Sequence, residues 1–370
     1  MNDLPISSFI EISSITNIKI IGQGAYGIVY KGLYKNEDIV YKTASSNGKQ
    51  ALINEIKILQ KLDNPNIIKY IGWGYNNKKE VCLVLEFVAE GSLDVILKKC
   101  GKLSDKICKG IIYQLLLALK YIHNLGIVHR DIKPENMLMT KNGVVKLGDF
   151  GVSKQLLDNP SKRKLTDPYR VGRGSVAGTK PYMAPEVLTL SSKTNFQYSS
   201  KIDIWSVGCT MYTLLTGKIP IGIDNKYLFG LINSDGSLKK DYMNGMKVFL
   251  LKDLTKTNLS DNAISFISDC LTINPYDRPN VEILLQHIYL NDVKLPNNEF
   301  LYWLIMCKRK NDKGSDLKSR YYSLPNNLND ESKSSLGSES SLGSKSSLDS
   351  ESSLDSESNL DSESERQSTI

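Results

Sequence analysis

His129-Arg130-Asp131-Ile132-Lys133-Pro134-Glu135-Asn136 decides the reading of this chain, and thirteen residues after its last member comes Asp149-Phe150-Gly151. Ala184-Pro185-Glu186 follows further on. Working outward, the sequence on the two sides has different periods. Before Gly91 apolar strand-like runs occupy residues 18–21, 28–31, 38–43, 67–72 and 81–86. One helix interrupts them at about residues 50–62, where Leu52, Ile56 and Leu59 recur at helical spacing with Ile53 beside them. After Gly91 the pattern is mainly helical, at 92–99, 105–124, 202–216 and 263–271. That order predicts an α+β chain: a small sheet-rich lobe, a connection at 87–90, and a larger helical lobe.

Two features of the small lobe carry chemistry. Gly22-Gln23-Gly24-Ala25-Tyr26-Gly27-Ile28-Val29 places three glycines where a chain can fold closely over phosphates, because a Cβ would block the approach. A dinucleotide-binding fingerprint has similar spacing but opens a helix, whereas here residues 28–31 continue as a strand. Thirteen residues past Val29, Lys42 closes the strand-like Asp38-Ile39-Val40-Tyr41-Lys42. A lysine in an apolar strand calls for a partner, and Glu55 on the following helix is the candidate.

The ordered set of a glycine-rich loop, strand lysine, helix glutamate, HRD…N, DFG and APE resembles the protein kinase family over residues 18–289. The resemblance implies a two-lobed fold, with an antiparallel-sheet lobe bearing one main helix, and transfer of the γ-phosphate of ATP to protein serine or threonine. Such transfer depends on positioning and charge neutralisation more than on covalent chemistry. It implies that Asp131 accepts the hydroxyl proton and that Lys133 neutralises the γ-phosphate. Lys42, held by Glu55, would contact the α- and β-phosphates, with Asn136 and Asp149 on two Mg²⁺ ions. Backbone amides of Gln23 to Tyr26, in the loop Gly22 to Gly27, would cover the phosphates. Adenine would lie between Ile21 and Val29 above and Leu138 below, bonded to the backbone at Glu86 and Val88, with Leu85 guarding an inner pocket. One position departs from the family: Val40 stands where alanine is usual, narrowing the adenine slot. Structural members are implied too: an apolar stack of Leu59, Tyr70, His129 and Phe150 anchored by Asp203, and a buried pair of Glu186 with Arg278.

Lys133 and Gly178-Thr179 match the serine/threonine branch, with Thr179 bonded to Asp131 and Lys133. The segment from Asp149 to Glu186 spans 38 residues and is long for its kind, with basic runs at 161–164 and 170–173. Ser175 is the expected phosphorylation site, ordering the segment through Arg130, which implies an upstream activating kinase. Residues 64–69 and 86–93 look most like kinases of the upper tiers of mitogen-activated cascades. A catalytically weak scaffold is the alternative function, with Val40 its only support, and a small-molecule phosphotransferase would lack Ala184-Pro185-Glu186 and Asp203.

Whole-chain properties agree. A 41% hydrophobic and 24% charged composition over 370 residues is that of a globular protein. No run of 18 apolar residues predicts a membrane span, and no signal pattern opens the chain, so cytoplasm, or the nucleus, is the expected location. Six scattered cysteines and three histidines form no metal spacing. The net charge of +7 hides a tail, residues 330–370, that carries −7 and leaves +14 on the rest. No basic-aromatic module accompanies that charge, so no specific nucleic-acid partner is expected. The tail repeats SSLGSE-like hexads from Ser334, too polar to offset ordering entropy, and is expected to be disordered. The expected divisions are an extension at 1–17, the kinase-like domain at 18–290 (lobes 18–86 and 91–290), a second extension at 291–329, and the tail. In that second extension the apolar run 299–307 is expected to pack on the helical lobe, the alternative being a membrane surface or partner.

Overall fold

The computed structural model describes residues 4, 6–24, 27–155, 178–189, 199–220, 251–252, 254, 257, 259–293, 295 and 298–311. Ala25, Tyr26, Ser175, both basic runs and the repeat tail lie outside them. All of the described residues fall within one compact unit.

The strand-like runs build one antiparallel sheet from β1 (Thr16–Gly24), β2 (Gly27–Tyr34), β3 (Glu37–Ala44), β4 (Tyr70–Tyr75) and β5 (Val81–Glu86), in the order β1-β2-β3-β5-β4. β3 is flanked on both sides, and its unbroken register with β2 sets Val29 opposite Lys42. Helix α1 (Lys49–Leu59) buries Leu52, Glu55, Ile56, Ile58 and Leu59.

The other face of the sheet is closed by the N-terminal extension. Ile10, Ile12 and Ile15 are buried with Ile39, Tyr41, Cys82 and Val84. The Ile10 N–H donates to the Trp73 carbonyl at 2.7 Å, so the strap also occupies the edge of β4. A Cβ on Gly74 would stand 2.1 Å from the Ile10 carbonyl, so only glycine admits the strap there.

β4 starts three residues later than its apolar run predicts. The preceding residues are used between lobes: Leu147 N–H donates to Asn66 O at 2.8 Å, and Ile68 N–H to Leu147 O at 2.9 Å. An Asn64 side-chain turn onto the Asn66 N–H, 2.8 Å, initiates that connection.

In the helical lobe, α2 (Leu93–Cys100) and α3 (Asp105–Asn124) start on serine caps, Ser92 accepting from Val95 N–H and Ser104 from Ile107 N–H. A short α4 (Pro185–Thr189) precedes α5 (Lys201–Thr216), which is buried from Lys201 to Leu215 and forms the lobe's axis. Two short ribbons, β6 (Ile127–Val128) with β9 (Lys154–Gln155) and β7 (Met137–Met139) with β8 (Val145–Leu147), frame the loop between them. The apolar run near residue 300 forms a helix, Asn298–Asn311, that packs on α2 and α3 with Phe300 and Leu304 buried. Burial pushes the Cys82 and Cys209 thiols up to about 12, so both act as packing groups.

Candidate active site

On the sheet side of the cleft and at its connection, Val29, Val40, Leu85 and Val88 are buried in the main core, with Ile21 partly buried against it; Leu138, on β7 of the helical lobe, is buried in the same core. Gly22, Gln23 and Gly24 end β1, and Gly27, opposite Gly24, starts β2. A Cβ on Gly27 (φ +149°) would lie 1.9 Å from the Thr43 carbonyl, so the hairpin reaches β3 closely only with glycine there. Val40 is fully buried opposite Leu85, its methyl groups absorbed by the core.

Two residues on from Val40, Lys42 Nζ donates to Glu55 Oε1 at 2.8 Å and stands 3.9 Å from Asp149 Oδ1. Burial pushes the Glu55 carboxyl above its ordinary range, and Lys42 pulls against that rise. Burial lowers the Lys42 ammonium, but Glu55 and Asp149 outweigh it and hold the group above its usual value. For Asp149, burial alone would raise the carboxyl; Lys42, Lys133 and the Gly151 N–H hold it below the usual range. Asp149 is therefore ionised, on a left-handed backbone (φ +60°) that marks a strained functional position.

Across the cleft, Asp131 Oδ1 accepts from the Thr179 hydroxyl at 2.7 Å. Asp131 Oδ2 lies 2.8 Å from Lys133 Nζ and accepts from Asn136 Nδ2 at 3.0 Å. Lys133 Nζ also donates to Thr179 Oγ1 at 2.5 Å, and Asn136 Nδ2 to the Asp131 carbonyl at 2.8 Å. Asn136 thus spends its donor on Asp131, leaving its Oδ1 as an acceptor.

The loop that carries them hangs on α5. Asp203 Oδ2 accepts from the His129 N–H at 2.9 Å and pairs with His123 Nε2 at 2.8 Å, while Oδ1 accepts from the Arg130 N–H at 2.8 Å. Burial would raise the Asp203 carboxyl, but these donors hold it below its ordinary value. His129 donates from Nε2 to the Gly148 carbonyl at 3.0 Å and accepts at Nδ1 from the Asp131 N–H at 3.3 Å. Both ring nitrogens are engaged and burial lowers the imidazole, so it is a neutral packing group that meets Phe150 edge-on at 4.8 Å. Arg130 Nε donates to the Val152 carbonyl at 2.5 Å, fastening the segment after Phe150 to this loop.

The expected pair behind the site is bidentate: Arg278 meets Glu186 at 2.7 and 3.0 Å and also donates to Thr272, Lys201 and Ile273 carbonyls.

A protein kinase domain model matches residues 15–290. The chain belongs to the protein kinase family. Over 304 residues it is 33% identical to a protein of Dictyostelium discoideum named a probable serine/threonine-protein kinase, covering 80% of this chain and 55% of that one. It is 35% identical to cell division control protein 7 of Schizosaccharomyces pombe, covering 75% of this chain and 24% of the other. It is 34% identical to mitogen-activated protein kinase kinase kinase 2 of Arabidopsis thaliana, over 74% of this chain and 40% of that one. The chain thus spans between a quarter and just over half of these curated relatives.

The carboxylate of Asp149 and the amide oxygen of Asn136 are hard oxygen donors of the kind Mg²⁺ prefers, so the residues present would fit that ion. Among the expected site residues, Ala25, Tyr26 and Ser175 fall outside the described residues. Glu86 has a role beyond its backbone: its carboxylate meets Lys146 Nζ and the Lys69 N–H, each at 2.7 Å. Sequence reading missed two polar groups. Asn66 and Gln114 form a buried network with the Val145 backbone and the Gly143 carbonyl. Asn54, beside Glu55, donates to the backbone after Asp149. Neither carries a spacing signal, since each bonds backbone far away in the chain.

Proposed function

We propose that this chain transfers the γ-phosphate of ATP to serine or threonine hydroxyls of protein substrates in signalling. One observation carries the reading: Asp131 is held from three sides by Thr179, Lys133 and Asn136, opposite the Lys42–Glu55 pair and Asp149. In this mechanism a substrate hydroxyl approaches Asp131, whose fixed carboxylate accepts its proton as the phosphoryl group moves to the oxygen. Lys133, already within reach of Asp131, sets a positive charge where the transferring group passes. Lys42, oriented by Glu55, binds the α- and β-phosphates, and the slot from Ile21 to Leu138 takes the adenine against the backbone of Glu86 and Val88. Mg²⁺, when bound by Asp149 and Asn136, supplies charge neutralisation on the phosphates.

Serine/threonine selectivity is supported by the Thr179–Asp131–Lys133 bonds, which close the floor of the site around a short side chain, and by the relatives' names. Several relatives are named mitogen-activated protein kinase kinase kinases, which supports an upper-tier signalling place and an upstream activator. In that reading Ser175 receives the activating phosphate and Arg130 helps to dock it. Val40, the support for a scaffold, leaves the Lys42–Glu55 pair formed.

The test is transfer of labelled γ-phosphate from Mg·ATP to a generic basic protein, with identification of the phosphorylated residue, for wild type and Asp149→Asn. Transfer to serine or threonine that falls by about a thousandfold in the variant is expected. Its absence in wild type after treatment with an activating kinase would overturn the reading.

A further inference from the structure

The backbone turn after Asp149 has its four carbonyls tied from two sides. Asn54 Nδ2 on α1 donates to the Ser153 carbonyl at 2.9 Å, to Gly151 at 3.2 Å and to Phe150 at 3.4 Å. The Val152 carbonyl is taken by Arg130 Nε from the catalytic loop. One residue along α1, Glu55 Oε1 accepts the Phe150 N–H at 3.3 Å while holding Lys42. One turn earlier, Ala51 is small enough for Gly151 to lie against α1, where a Gly151 Cβ would stand 3.6 Å from the Ala51 Cβ. An amide carries two N–H groups, so the three carbonyls share two donors. The opposite orientation of the amide would face an oxygen to three carbonyl oxygens, so the network fixes which atom points inward.

The geometry assigns Asn54 as a positioning residue for Asp149. Its amide is spent on backbone carbonyls, so it acts on Asp149 through the turn. It couples the placement of α1 to the turn that carries Asp149, and complements Glu55: the carboxylate reads the turn's N–H and the amide reads its carbonyls. Both sets of bonds are made only when α1 lies against this turn. The assignment rests on the reading that Asp149 holds Mg²⁺ beside the nucleotide, and it specifies which residue keeps that carboxylate in place.

The test compares wild type with Asn54→Asp, nearly equal in volume but lacking both donors, and Asn54→Gln, which keeps the amide on a longer arm. ADP affinity of the full chain is measured calorimetrically with and without Mg²⁺, and hydrogen exchange is followed at the amides of residues 150–153. In Asn54→Asp the enhancement of ADP affinity by Mg²⁺ is expected to shrink about fivefold or more, the loss of one to two hydrogen bonds. Metal-free ADP affinity should stay within about twofold, because the adenine slot is untouched. Exchange at residues 150–153 should quicken while that of α3 does not, and Asn54→Gln should recover part of both effects. An unchanged Mg²⁺ enhancement together with unchanged exchange in Asn54→Asp would overturn the assignment, as would an equal loss of metal-free and Mg²⁺-dependent affinity. Should Asn54→Asp melt below the working temperature, Asn54→Ala is read by the same two measurements. If wild type shows no Mg²⁺ enhancement, the metal reading of Asp149 fails, and the exchange data alone decide whether Asn54 holds the turn.

Discussion

The two walls of the cleft are held in place very differently. On the helical side, Asp131, Lys133 and Asn136 sit on a loop whose backbone is bonded twice to Asp203, on a helix buried from Lys201 to Leu215. On the sheet side the matching anchor is α1, eleven residues long, with no side-chain cap and no acid in its first turn. On the helical side α5 is sixteen residues long, likewise without a side-chain cap, but with Asp203 in its first turn and buried along nearly its whole length. A short uncapped helix draws its order from tertiary contacts. Asp131, Lys133 and Asn136 therefore hang from a helix buried along its length, while the pairing of Lys42, Glu55 and Asn54 depends on how a short helix packs.

Breaking one ion pair on each wall sharpens the contrast. Lys42→Met is expected to lower transfer by about a hundredfold or more. Its stability cost should be the smaller of the two, because burial already favours the protonated form of Glu55, which can take up a proton once Lys42 is gone. Arg278→Met leaves Glu186 without its bidentate partner and frees three carbonyls besides; a loss of about 3–5 kcal/mol is expected in denaturant titration. If Lys42→Met proved as destabilising as Arg278→Met, the contrast between walls would fail.

The strap provides a smaller test. Ile10→Ala should cost about 2 kcal/mol in the same titration, since Ile10 is 5% exposed and packs on the sheet's outer face, away from the cleft. The KM for ATP and the turnover of the folded protein should be unchanged. A change in either would mean that the strap acts on the sheet wall.

Acid should separate the walls with the smallest effect. His129 is lowered, so its stabilising contribution is present above the unfolded histidine value of about 6.5 and is lost as pH falls below it. Asp203 is also lowered, so its contribution holds above the unfolded carboxylate value of about 3.9 and is lost below that. Glu55 is raised and runs the opposite way, favouring the fold as pH falls through its folded value toward the lower unfolded one. Stability measured from pH 7 to pH 4 should therefore fall through the helical wall, with a slope of up to about 1.4 kcal/mol per pH unit for each proton taken up on unfolding. A stability that rose steadily on acidification would contradict this assignment of signs.

Much of this was legible in the residues themselves. The strands of the sheet, α1, α3 and α5 follow from apolar period, because each hides one face or, for α5, its whole surface. β4 was misplaced because residues 67 and 68 are as apolar as a strand yet bridge to Leu147 in the other lobe. The ribbons β6–β9 and β7–β8 are two or three residues a strand, too short to show alternation. The strap of residues 6–15 has no period to distinguish it from a loose terminus, and only the bare face of the sheet gives it a place.

The sequence by itself determined which residue types stand in the cleft and in what order, because charge, glycine and spacing are properties of the chain. Tertiary structure alone decided which of them meet. Lys42 finds Glu55 because β3 and α1 pack, Thr179 reaches Asp131 across 48 residues, and Asn54 reads carbonyls nearly a hundred residues away. A backbone carbonyl has no sequence signature, so a side chain that exists to bind one is visible only when the fold brings the two together.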